Sequence, residues 1–224
     1  MASAEMRCAF QDSLAPHVAL LQIVWQSAYG MKRPFQRMSR GGWAPIGFQG
    51  KDPATDLRGG GVLALRCFAY FSAHRVFRKQ FLRMLKEQGA RGPSNYPVAT
   101  AAVNVACRLC AMLRVGEDSE GRLGVGGGAA VVLSKAEAAG LWEQIEAQSS
   151  GGGTAVAVAG AAAAKDRTAA LLFPFYEVFC RLLLTVDEAF VADGGGVMAF
   201  NAVLARSFTQ AALRAAFKGA GMRG

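Results

Sequence analysis

"GGWAPIGFQGKDPATDLRGGG", residues 41–61, is the stretch on which the reading of this chain turns. Its glycines and prolines break any regular element, so it reads as a loop. Inside it stand Trp43, Phe48, the acid pair Asp52 and Asp56, and Arg58. Pro53 fixes one backbone angle, and Thr55 or Asp56 can accept hydrogen bonds from the amides that follow, so the loop is expected to end at a helix start. Arg58 then falls in the first turn, where a cation opposes the positive end of the helix dipole at a cost of ~0.3–1 kcal/mol. Gly59, Gly60 and Gly61 cost roughly 1 kcal/mol each relative to alanine if they are helical. Several local rules broken in one place point to a demand from outside the fold. Trp43, Pro45, Phe48 and Pro53 stiffen the backbone enough to hold one side chain in position. On local physics alone the favoured account is plainer: Arg58 salt-bridged to Asp52 or Asp56, with glycines that let helix pack on helix.

Outward from the loop the pattern is helical on both sides. Residues 12–28 place Leu14, Val18, Leu21, Val24 and Trp25 on one face, with Asp12 or Ser13 as the cap. A basic link, "GMKRPFQRMSRGG", joins that helix to the loop. Beyond it, Val62, Leu65, Cys67, Phe68 and Phe71 predict one helix, and Phe77, Phe81, Leu82 and Leu85 a second, stopped by Gly89 and then Gly92-Pro93. Residues 96–113 predict a buried alanine-rich helix in which Asn104 is the neutral polar residue at mid-helix, expected to satisfy backbone groups in the core. Two more helices are expected over 169–192 and 196–218. Between 115 and 167 lie "GVGGG", "SSGGG" and "AVAVAGAAAA", read as a flexible Gly/Ala-rich insertion holding one short helix, 134–148, capped by Ser134 with Glu137 three residues on. No strand pattern of convincing length appears. The expectation is all-α: residues 1–224 as one helical domain interrupted by a low-complexity insertion.

Charge and cysteine content narrow the function classes. The net charge is +9 over 224 residues. Residues 29–91 hold thirteen Lys/Arg against three Asp/Glu, so the basic character belongs to one region. Such a field attracts nucleic acid, an anionic membrane, or an acidic protein carrying a nucleotide. Phe77 and Phe81, interleaved with Arg78, Lys79 and Arg83, fall at helical spacing that faces a core, so nucleic acid is the weaker reading. Five cysteines at irregular spacing and no signal-peptide pattern point to reduced thiols in the cytosol. His17 and His74 lie far apart, and Cys107 and Cys110 have no companion pair, so no metal site is expected and both thiols are assigned to packing. The Gly47–Lys51 stretch is not a phosphate loop, because Asp52 follows the lysine. No nucleophile–base set can be assembled, and a self-contained active site is not expected.

With those residues in view, the loop resembles a known signature. Trp43, then Gly47-Phe48-Gln49-Gly50, Asp52-Pro53, Thr55-Asp56, Arg58-Gly59 and Gly61 resemble the ELMO domain, named from engulfment and cell motility proteins. "NYPVATAAVNVA" resembles the family's following segment through Tyr96, Pro97, Asn104 and Val105, and the C-terminal helices resemble its closing helices more loosely. The resemblance implies an ELMO-type helical domain. In the branch called ELMO-domain-containing proteins it implies a GTPase-activating protein for Arf-family and Arf-like small GTPases, in which Arg58 is the essential arginine. Trp43, Gly47, Phe48, Gln49, Asp52, Pro53, Thr55, Asp56, Gly59, Gly61 and Asn104 are then partner-binding or loop-supporting residues. No cofactor of its own is implied, since GTP and Mg belong to the partner GTPase. Apart from the resemblance, the cysteine usage leads to the expectation of a cytosolic location, and the basic 29–91 region is the part that could contact an anionic membrane peripherally. The alternative is a non-catalytic ELMO-type binding module or scaffold in small-GTPase signalling.

Overall fold

The computed structural model describes residues 8–91, 95–114, 134, 136–141, 143, 173–194 and 196–221. Among them every regular element is helical: α1 (Ala15–Tyr29), α2 (Arg40–Trp43), α3 (Gly61–Ala73), α4 (Arg78–Arg91), α5 (Val98–Met112), α6 (Phe173–Asp193), α7 (Phe200–Ser207) and α8 (Gln210–Gly219), with 3-10 turns at Ala44–Ile46, Pro53–Arg58 and Val197–Ala199. The all-α expectation holds. None of these helices is long and apolar enough to cross a membrane.

Helix α3 is the hub, packing against α1, α4, α5 and α6. Its sequence explains this, since Val62, Leu63, Leu65, Cys67, Phe68 and Phe71 are all buried and leave it almost no solvent face. The helices before and after residues 115–167 share one core running from Leu21 to Phe217. A polar knot ties them further. Asp187 of α6, 1% exposed, accepts from the Tyr96 hydroxyl at 2.6 Å and from Arg83 Nη2 of α4 at 2.7 Å, while Tyr96 packs edge-on against Phe190. Nearby, the Tyr70 hydroxyl donates to Glu177 of α6 at 2.7 Å.

Several boundaries differ from the sequence reading, each for a local reason. Helix α1 starts at Ala15 with Pro16 in its first turn and no side-chain cap; Leu14 is 40% exposed, and Asp12 binds Arg37 instead. Leu82 points to solvent. Gly89 does not stop α4, which runs to Arg91. The predicted helix over 196–218 is two, because Phe208 turns inward and Thr209 caps α8 by accepting from Ala212 N at 3.1 Å. Within 115–167 the described residues include a helical run over 136–141, with Ser134 and Glu137 exchanging the reciprocal bonds of a capping box. The rest of that expectation, and Gly92-Pro93, lie outside the described residues.

Candidate functional site

The loop is anchored in the core by aromatic rings. Trp43 is fully buried, with its centroid 5.0 Å from Trp25, 6.1 Å from Phe35 and 5.3 Å from Phe48, all edge-to-face. Phe48 continues the chain to Phe68 of α3 at 6.1 Å. Burying a ring such as Phe48 contributes roughly 1.5–3 kcal/mol, and each well-placed ring pair about 0.5–1.5 kcal/mol more. The Trp43 indole N–H donates to the carbonyls of Gln36 and Arg37, which pins the basic link beside the loop.

A second anchor is the start of α5. The first amides of a helix lack intrahelical partners, and here the loop supplies one and α4 another. The Gly47 carbonyl accepts from Thr100 N and from Thr100 Oγ1, both at 3.2 Å. Gln88 of α4 bridges the two, accepting from Val98 N at 2.8 Å and donating to the Pro45 carbonyl at 3.0 Å. Gly47 has φ +99°, and a Cβ there would lie 2.3 Å from Val98 N. Gly61 has φ +56°, and a Cβ on Gly60 would lie 2.6 Å from that of Ala64 and 3.1 Å from Cys107 Sγ. These glycines therefore answer to demands inside the fold.

Gln88, Thr100, Arg37 and Asp12 were missing from the sequence-based set. Gln88 had a readable signal: it continues the buried stripe of Phe81 and Met84 at helical spacing, so a polar side chain there needed an inward partner. The Arg37 pairings had none, because they join residues far apart in the chain.

The 3-10 turn Pro53–Arg58 carries the arginine. Its cap is Asp52, not Thr55 or Asp56: Asp52 Oδ1 accepts from Ala54 N at 2.9 Å and from Arg37 Nη1 at 2.7 Å. Arg37 also grips Asp12, and although burial works against it, the two carboxylates raise its pKa above the ordinary value. Asp56 Oδ2 accepts from Gln49 N at 2.8 Å, and the Thr55 hydroxyl donates to the Asp52 carbonyl at 2.8 Å. Pro53 and Leu57 are buried beneath the turn. Arg58 closes it as its last residue, three positions before α3 begins, so it does not occupy the first turn of an α-helix. Its Nε donates to the Thr55 carbonyl at 3.1 Å; the side chain is exposed, and neither terminal nitrogen has a partner among the described residues. The salt bridge that local physics favoured is absent from these residues, because Asp52 and Asp56 are engaged elsewhere.

The remaining candidates divide plainly. Gly59 is exposed. Asn104 is half-buried on the strip of α5 that carries Thr100 and Cys107, and no hydrogen bond engages its carboxamide among the described residues, so the expected role in satisfying core backbone is not seen. Cys107 and Cys110 are buried, and burial pushes the Cys107 thiol up to about 11, which suits packing rather than nucleophilic work. His17 Nδ1 accepts from the Gln11 backbone amide, so that nitrogen is already engaged.

Fold and loop together define an all-helical domain that carries a stiff, arginine-bearing turn on its surface. The chain belongs to the ELMO/CED-12 family, whose model matches residues 1–204. It is 33% identical over 100 residues to ELMO domain-containing protein A of Dictyostelium discoideum, a match covering 45% of this chain and 10% of that protein. To ELMO domain-containing protein 2 of Homo sapiens it is 46% identical over 69 residues, 28% of this chain and 23% of the relative. ELMO domain-containing protein B of Dictyostelium discoideum is 32% identical over 97 residues, covering 43% and 32%. The chain thus spans about a third or less of the length of these relatives. No solved structure matches it.

Proposed function

We propose that this chain is a GTPase-activating protein for small GTPases of the Arf and Arf-like class, supplying Arg58 in trans. The observation that carries the reading is the presented guanidinium: an exposed arginine, held at Nε by its own turn, whose two terminal nitrogens have no partner among the described residues although two carboxylates belong to the same loop. GTP hydrolysis is catalysed mainly by positioning and charge stabilisation, and an arginine given in trans is worth roughly 10³–10⁵ in rate. Such a protein needs no nucleophile of its own. Arg58 enters the nucleotide site of the GTPase and meets the negative charge that develops on the phosphate oxygens, while GTP and Mg stay with the partner. The choice of Arf-type partners rests on the family resemblance of the loop, and the +10 balance of residues 29–91 favours approach to an acidic, nucleotide-bearing surface.

Single-turnover GTP hydrolysis across a panel of Arf and Arf-like GTPases tests this, with wild type beside Arg58→Ala and Arg58→Lys. The expected result is acceleration by wild type that both variants lose, since lysine lacks the planar fork. Binding without acceleration on every well-folded panel member points instead to a non-catalytic binding module.

A further inference from the structure

The polar side chains of residues 49–58 fall into two groups. Asp52, Thr55 and Asp56 use their oxygens on backbone of the loop itself and on Arg37. Gln49 makes no such side-chain bond, and Arg58 makes one through Nε to the Thr55 carbonyl while its two terminal nitrogens have no partner among the described residues. Gln49 enters the network only through its backbone amide, bound to Asp56 Oδ2 at 2.8 Å; its carboxamide is exposed and without a hydrogen-bond partner among the described residues. The carboxylate that fixes the Gln49 backbone belongs to a residue two positions before Arg58. The Gln49 carboxamide and the two terminal nitrogens of Arg58, without partners among the described residues, therefore leave one hydrogen-bonded turn from neighbouring places on the main chain. Lys51 is exposed on the same loop but offers only donors, and Asn104, also unengaged, is shorter and half-buried.

A carboxamide has an acceptor and two donors at fixed spacing, the combination that holds a water against a phosphoryl oxygen. In GTP hydrolysis the attacking water must be oriented by such a group. We propose that Gln49 is a second catalytic group presented with Arg58, orienting the attacking water on the bound GTP; this rests on the activator reading above. Gln49 Oε1 accepts a hydrogen bond from the water and Nε2 donates to a γ-phosphoryl oxygen. The water oxygen bonds to the γ-phosphorus as its bond to the β–γ bridging oxygen breaks. That electron pair leaves with GDP, the water proton passes to the released phosphate, and Arg58 stabilises the charge that accumulates. Gln49 itself takes up no proton.

The test is single-turnover hydrolysis with a responsive Arf-type GTPase, titrating wild type, Gln49→Ala and Arg58→Ala in parallel, and repeating with the GTPase whose own water-orienting glutamine is replaced by leucine. Gln49→Ala should melt with wild type, because its exposed carboxamide has no hydrogen-bond partner among the described residues. Its maximal rate should fall about 100-fold, the usual scale for one positioned group, while the half-saturating concentration moves less than about threefold. Wild type should still accelerate the leucine variant of the GTPase, since the carboxamide comes from Gln49. Loss of acceleration by Arg58→Ala with full maximal rate in Gln49→Ala overturns this inference and leaves the activator reading standing. A shift in half-saturation alone overturns it too, making Gln49 a contact residue. If wild type accelerates no GTPase, both readings fall together.

Discussion

Arg83 and Arg58 both reach the surface from helical segments, and the molecule treats them oppositely. Arg83 is clamped from two sides, by Asp187 at 2.7 Å and Glu87 at 3.0 Å, and it closes the knot that joins α4, α6 and Tyr96. Arg58 has two carboxylates within its own loop and pairs with neither; Asp52 is given to Arg37 and to the turn's cap, Asp56 to a backbone amide. Where an arginine serves the fold, buried carboxylate comes to meet it. Where it does not, the loop's acids are used to stiffen the main chain beneath it. A side chain held out this way loses less freedom when a partner binds it, which is how preorganisation favours a transition state.

The largest effect is expected where the loop meets α5. Gly47→Ala puts a Cβ 2.3 Å from Val98 N on a residue with φ +99°, and should cost at least about 3 kcal/mol in denaturant unfolding. A neutral result would show that the loop is not fixed by α5 and would remove the rigidity on which the comparison depends. Next comes Arg83→Ala, which leaves the buried Asp187 with the Tyr96 hydroxyl as its one remaining side-chain partner among the described residues and should cost about 2–3 kcal/mol.

Much of the scaffold around this contrast could be read from the sequence, for reasons that differ by residue. Trp43 and Phe48 announce their burial by size, and the glycines by their density, so a stiff loop between helices was legible. The all-helical fold followed from spacing in α3 and α5, where apolar residues recur at helical intervals. What escaped were pairings across sequence distance: Arg37 to Asp12 and Asp52, Gln88 to Val98 and Pro45, Arg83 to Asp187. Local rules treat each charge beside its chain neighbours, and for that reason placed Asp52 or Asp56 on Arg58. The break at Phe208-Thr209 was missed because alanine-rich sequence on both sides favours helix through it, while one inward phenylalanine and one capping threonine outweigh that preference.

A smaller effect belongs to the two buried histidines. Both imidazoles sit below their ordinary value of 6.5, first through burial; Arg66 adds to this at His17, while at His74 Glu177 opposes it and Arg75 assists. The unfolded chain takes up protons as pH falls through 6.5, before the folded chain does, so stability is complete above that pH and declines below it toward the lower folded values. Melting should therefore move down between about pH 7.5 and pH 5.5, and His17→Gln with His74→Gln should flatten that slope. An unchanged slope would place the acid sensitivity elsewhere.

The smallest effect on stability is expected at Arg58, and it is the most telling. Denaturant unfolding of Arg58→Ala, run beside Arg83→Ala, compares the free arginine with the clamped one directly. The account predicts a midpoint for Arg58→Ala within about 0.5 kcal/mol of wild type, as for a surface change, with Arg83→Ala clearly destabilised. Equal loss in the two variants would mean that Arg58 holds the fold together, and the arginine offered to a partner would be a structural residue instead.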